Sequence, residues 1–231
     1  MPPLLSRSFC QAVERMALSQ AVANSTWLFP TVETAHLVAM IALLHFKSVV
    51  KHLLDETKGH LYSDNVLSRT GELTKSKQIR KAFNDKTMNK VRWDADPDVY
   101  KYQLMLPFIG ASYDIFVEIY ERHLVRRDAI PKRLADDSFN TLGVANLDLR
   151  PQFAKHFKKN EEAFERALLD ARDVFARLMA RTWTKTSMHD LTYARVVENM
   201  IDADLELTRG KYVAIVYESF FRRKIVPEKA R

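Results

Sequence analysis

The sequence is short of the residues that form disulfides, tight turns and sheets. It has one cysteine, Cys10, in 231 residues, so no internal disulfide and no cysteine-pair zinc site can form. It has only five glycines and eight prolines, and no segment alternates convincingly between apolar and polar residues as a strand would. The many Ala, Leu, Arg, Lys and Glu residues favour helices instead. A composition of 47% apolar and 28% charged residues is typical of a folded protein with a sizeable core.

Motifs that would identify an enzyme are also missing. The sequence contains no HExxH zinc-peptidase signature, no GxxxxGK[ST] phosphate loop, no GxGxxG and no GxSxG nucleophile elbow. Glu33 and His36, in the segment VETAH, share a helix face and are weak metal candidates. Valine occupies the place of the first zinc ligand there, so a buried, hydrogen-bonded pair is the preferred interpretation. We therefore predict no catalytic residue, no metal and no cofactor, with zinc the cofactor only if this interpretation is wrong.

Helical periodicity covers most of the chain. The pattern predicts a helix opened by Pro107 and a loop-rich stretch over residues 128–160. Asn160, followed by Glu161 and Glu162, is typical of a helix N-cap. The other predicted helices cover residues 6–22, part of 27–46, Lys47–Thr57 up to Gly59, 161–183, a segment from near Leu191, and a last segment after Gly210. We predict an all-α fold, an irregular bundle of about six to eight helices with an apolar N-terminal helix.

The apolar segment Trp27–Phe46 leaves two interpretations open. Among its twenty positions only Glu33, His36 and His45 are ionisable, and its length is marginally enough to cross a bilayer. A buried core helix explains the segment equally well. We divide the chain into an apolar helical segment, 1–46, and a helical domain, 47–231. The sequence is compatible with two cellular locations for the protein, the cytoplasm and a membrane surface.

Basic residues are concentrated between Lys75 and Arg92, in a chain with a formal net charge of +7. Seven Lys and Arg residues lie there against one acid, Asp85. Lys77, Arg80 and Lys81 are candidate contacts for an anionic membrane surface. A solvated surface is the preferred interpretation, and nucleic acid is not the expected partner because no aromatic residues alternate with the cations.

The C-terminal stretch Leu191–Pro227 resembles the end of thermolysin-like (gluzincin) zinc metallopeptidase-related proteins. The segment GASYDIF, from Gly110, is similar to the helix that follows the family's transition-state histidine, and the similarity extends over about residues 45–227. The matching C-terminal residues are Leu191, Thr192, Tyr193, Ala203, Asp204, Leu205, Gly210, Tyr212, Glu218, Ser219, Phe220, Arg222, Arg223 and Ile225.

This chain differs from that family in the residues that bind zinc and stabilise the transition state. It lacks HExxH, and Tyr102 occupies the position of the transition-state histidine. The resemblance implies a catalytically inactive or truncated metallopeptidase-like helical protein without its own zinc site, whose N-terminal peptidase half is missing. A rival alignment places Glu33 in the zinc-ligand position, but the aspartate expected beside that ligand is absent.

Residues 9–44 resemble a different group, the start of small bacterial multi-helix membrane proteins of unknown function. The matching residues are Trp27, Phe29, Pro30, Glu33 and His36. This second resemblance implies a composite chain joined near Leu44–Phe46. It supports an alternative function as a membrane-associated helical protein anchored by residues 27–46. A further alternative is a basic helical protein that binds nucleic acid.

Overall fold

The computed structural model describes residues 29–69, 73–74, 77–78, 81–92, 97–140, 148–187 and 191–225. The side chains of residues 29–33, 73–74, 77–78 and 97–102 lie outside this description. Cys10 and the helix predicted over residues 6–22 lie outside it as well.

The described residues form eight α-helices, which confirms the predicted all-α fold. The helices are α1 (Phe29–Leu43), α2 (Lys47–Thr57), α3 (Pro97–Arg126), α4 (Lys132–Asn140), α5 (Arg150–Phe157), α6 (Glu161–Lys185), α7 (Tyr193–Thr208) and α8 (Val213–Arg222). A two-residue antiparallel pair, β1 (Leu73–Thr74) with β2 (Lys77–Gln78), and a 3-10 turn at Met88–Lys90 lie between α2 and α3.

The thirty-residue helix α3 is the centre of the fold. It packs against α1, α4, α6 and α8. Every residue from Pro107 to Glu121 is buried, so α3 has no solvent face over four turns. Its largest buried side chains are Phe108, Tyr113, Phe116 and Tyr120. Because polar residues within this stretch share the burial, α3 brings ionisable groups into the core.

Two sequence predictions about proline are wrong. Pro107 lies inside α3, which begins at Pro97 instead. Proline cannot donate the helix hydrogen bond, but core packing on both sides of Pro107 retains the helix across it. The stretch predicted as loop-rich contains α4 and α5, and its two prolines mark helix starts: Pro131 directly precedes α4, and Pro151 lies in the first turn of α5.

Two local predictions about helix ends are confirmed. Helix α2 ends at Thr57, where Lys58 (φ 52°) and Gly59 (φ 83°) adopt the left-handed conformation that reverses the chain. Asn160 caps α6, since its side chain accepts a hydrogen bond from the Ala163 amide at 3.2 Å.

The apolar helix α1 packs against α3 and α6. Its buried side chains include Leu37, Met40 and Ile41. Within the described ranges no single helix is long and apolar enough to cross a membrane. Residues Thr34–Leu43 and Lys47–Thr57 pass that test of length and composition together, but they meet at a bend of 93°.

Candidate functional site

Helix α3 carries three carboxyl groups into the core. Asp114, Glu118 and Glu121 are 1%, 7% and 0% exposed, and their i, i+4, i+7 spacing places them along one side of the helix. Acidic side chains are rarely buried this deeply unless they are paired or protonated. We call these three residues the carboxylate cluster.

Asp114 pairs with Arg223, which directly follows α8. The Arg223 guanidinium donates to Asp114 Oδ2 through Nη2 at 2.7 Å and Nε at 3.2 Å. It also donates to Asn84 Oδ1 at 2.9 Å through Nη1. Gly110 makes room for this arrangement, because a Cβ there would lie 2.6 Å from Arg223 Nη1. The glycine and the aspartate of GASYDIF therefore both serve the same buried ion pair.

Glu118 and Glu121 have neutral partners. The Tyr62 hydroxyl lies 3.3 Å from both Glu118 Oε1 and the Asp114 carbonyl oxygen, and can donate to either. The Ser138 hydroxyl donates to Glu121 Oε1 at 2.8 Å. Glu121 Oε2 has no hydrogen-bond partner among the described residues.

Burial makes the carboxylate cluster hold protons. It raises the pKa of Glu118 to about 8, despite the hydrogen bond from Tyr62 and the charge of Arg122. Burial and the charge of Glu118 raise the pKa of Glu121 well above its usual range. Burial also raises the pKa of Asp114 to about 6 against the opposing effect of Arg223. At neutral pH, Asp114 is therefore the carboxyl of the cluster that is mainly ionised, opposite Arg223.

Two buried tyrosines fasten the loop after α2 to the same helix. Tyr113 donates to the Leu61 carbonyl at 2.7 Å, and Tyr120 donates to the Gly59 carbonyl at 3.2 Å. Asn65 donates to the Tyr113 hydroxyl at 3.1 Å. These bonds join the backbone of the loop to α3, so the loop packs as part of the core.

The predicted site residues lie elsewhere. His36 is buried in α1, and Glu33 and Tyr102 lie on α1 and α3, but their side chains are outside the description. The side chain of Lys77 and all of Arg80 are outside it too, whereas Lys81 pairs with Asp64 at 2.7 Å. In the described part of the chain, no group of three or more His, Cys, Asp or Glu residues is placed to hold a metal ion.

The carboxylate cluster was missed in the sequence. Its signal is the run of acids at 114, 118 and 121 within an otherwise apolar helix. Their partners Tyr62, Ser138 and Arg223 are distant in sequence, so no local motif identifies the contacts.

The chain was compared with protein-family models, curated proteins and solved structures. No protein-family model matches the chain, and neither the curated proteins nor the solved structures give a significant match.

Proposed function

We propose that this chain is a catalytically inactive, metallopeptidase-like helical protein without a zinc site of its own. The observation that supports this proposal is the buried Asp114–Arg223 ion pair. Asp114 belongs to GASYDIF and Arg223 to the C-terminal stretch, the segments on which the family resemblance depends. Their contact is what is expected if both segments descend from one packed helical lobe.

The environment of the carboxylate cluster also favours a structural role. A general acid or base must lie within hydrogen-bond reach of a substrate. Asp114 and Glu121 are almost completely buried and contact groups from other elements: Arg223 after α8, and Ser138 of α4. The cluster therefore joins helices together, and we assign it no catalytic step.

Zinc analysis tests the proposal. We expect purified protein, incubated with zinc and then dialysed, to retain far less than one zinc ion per chain by mass spectrometry. The wild-type protein should hydrolyse peptides no faster than the variants Glu33→Gln and His36→Gln. One tightly held zinc per chain, lost together with peptide hydrolysis in those two variants but not in the control His156→Gln, would refute the proposal.

A second candidate function, membrane association, is favoured by the corner between α1 and α2. Phe46 lies in this corner and is 61% exposed, beside the exposed cations Lys47 and Lys51. An exposed aromatic flanked by cations is suited to the interface of an anionic bilayer. The large apolar side chains Leu37, Met40 and Ile41 of α1 are buried in the core, so this candidate involves insertion of the corner.

Vesicle flotation tests this second candidate. We expect the protein to float with phosphatidylcholine–phosphatidylserine vesicles, and Phe46→Ser to reduce the bound fraction several-fold because it removes about 2 kcal/mol of apolar burial. Leu207→Ser, at another exposed apolar position, is the control. Equal flotation of the wild type and Phe46→Ser would argue against insertion of the corner.

A further inference from the structure

Three exposed cations meet where the C-terminal end of α3 approaches the start of α8. Arg122 and Arg126 lie one turn apart on α3, and Lys211 directly precedes Tyr212, the N-cap of α8. Arg122 Nη1 donates to the Lys211 carbonyl at 3.2 Å, which fixes the two elements to each other. Lys211 Nζ lies 5.2 Å from the centroid of the Tyr212 ring.

The nearby carboxylates are engaged with other groups. Asp170 forms an ion pair with Arg127 and lies 3.4 Å from His123 Nδ1. Asp204 is buried and accepts from the Tyr212 amide at 2.7 Å and the Thr208 hydroxyl at 2.5 Å. Among the described residues, no carboxylate forms an ion pair with Arg122, Arg126 or Lys211. The place where Arg122, Arg126 and Lys211 meet therefore has an excess of positive charge.

Two buried polar side chains, His123 and Tyr212, lie next to these cations. Arg126 Nη2 lies 3.1 Å from both ring nitrogens of His123, and the Tyr212 hydroxyl lies 3.4 Å from His123 Nε2. Burial, followed by the charge of Arg126, lowers the pKa of His123 to about 4, so the ring is neutral at physiological pH. Burial, followed by the charges of Arg126 and Arg122, also lowers the pKa of Lys211. An anion bound here would relieve the repulsion among the cations.

Stabilisation of the α3 helix dipole explains only part of this arrangement. Cations in the last turn of a helix are favourable there, which accounts for Arg126. It does not account for Lys211, which a different segment brings to the same place. Two guanidinium groups one turn apart and an ammonium group are the donors that recognise the oxygens of a phosphate.

We propose that Arg122, Arg126 and Lys211 form a binding site for a phosphate group, carried by a small phosphate ester or by a phospholipid headgroup. This inference is independent of the proposed loss of peptidase activity. The site lies beside the buried side chain of His123, whose ring nitrogens are 3.1 Å from Arg126 Nη2.

Calorimetric titration of the full chain with inorganic phosphate at low salt tests the proposal. We expect one saturable site per chain, and about tenfold weaker binding in both Arg126→Gln and Lys211→Gln, because each removes a charge-assisted hydrogen bond. Arg133→Gln is the matched control, since that arginine side chain is 93% exposed on α4 and its loss removes the same charge. Unchanged urea midpoints show that the variants remain folded.

Flotation with phosphatidic acid vesicles separates the two sources of phosphate. Binding to these vesicles that is lost in Arg126→Gln, with no binding of inorganic phosphate, identifies a lipid headgroup; saturable binding of inorganic phosphate identifies a soluble ligand as sufficient. The proposal is overturned if neither probe binds at concentrations up to about 10 mM. It is equally overturned if Arg133→Gln weakens binding as much as Arg126→Gln does, or if neither Arg126→Gln nor Lys211→Gln weakens it.

Discussion

Replacement of Arg223 by alanine is expected to lower the free energy of unfolding by about 3–5 kcal/mol. The substitution leaves the Asp114 carboxylate buried without its counter-charge, and Asn84 Oδ1 and the Lys86 carbonyl also lose a donor. The large effect comes from the stranded charge, because an intact buried ion pair contributes little net stability. Urea denaturation at neutral pH measures the loss.

A double-mutant cycle isolates the contribution of the stranded charge. Asp114→Asn should cost much less in the Arg223→Ala background than in the wild type, because the ion pair is already broken there. Arg133→Ala is the control for loss of an arginine and should change the free energy of unfolding by less than about 0.5 kcal/mol. A loss below about 1 kcal/mol for Arg223→Ala would show that water reaches Asp114 in the folded protein.

Replacement of Glu118 by glutamine is expected to make the protein more resistant to alkaline pH. The pKa of Glu118 is raised in the folded state to about 8, so the folded protein binds a proton that the unfolded chain releases near pH 4.5. The contribution of Glu118 to the free energy of unfolding must therefore fall as pH rises from about 4.5 to about 8. Glutamine cannot ionise, and we expect the variant to gain roughly 2 kcal/mol over the wild type between pH 6.5 and pH 9.

The pH range of this experiment separates the effect of Glu118 on stability from the effect of the histidines. Burial lowers the pKa of His60 and His123 to about 4, so their contribution to stability rises with pH between about 4 and 6.5. Above about pH 7.5 both are neutral whether the chain is folded or unfolded, and the carboxylate cluster dominates the slope. Urea midpoints measured from pH 6.5 to 9 should fall more steeply for the wild type than for Glu118→Gln. Parallel slopes would contradict the raised pKa, and the exposed Glu165→Gln is the control.

Local signals in the sequence predicted much of the helical fold. Helical periodicity and end signals placed α2, α6, α7 and α8, since Gly59, Asn160 and Gly210 act on their immediate neighbours. The errors concerned proline, because its effect depends on position: it starts a helix in α5, and surrounding packing tolerates it inside α3.

The carboxylate cluster could not be predicted in the same way. Whether Glu118 is a solvated surface acid or a buried protonated one depends on Tyr62, which lies 56 residues earlier in the chain. The same holds for the three cations of the proposed phosphate site, where Lys211 is 89 residues from Arg122. Periodicity shows which face of a helix is apolar, but it does not show which distant side chains will cover that face.

The separation of 109 residues between Asp114 and Arg223 has a consequence for biosynthesis. A ribosome adding about 5–20 residues per second translates Asp114 of α3 several seconds before Arg223, the partner of its ion pair. During that interval Asp114 has no arginine partner, so its side chain either stays hydrated or takes up a proton. We infer that the packing around Asp114 is completed late in synthesis, after α8 and Arg223 have been translated.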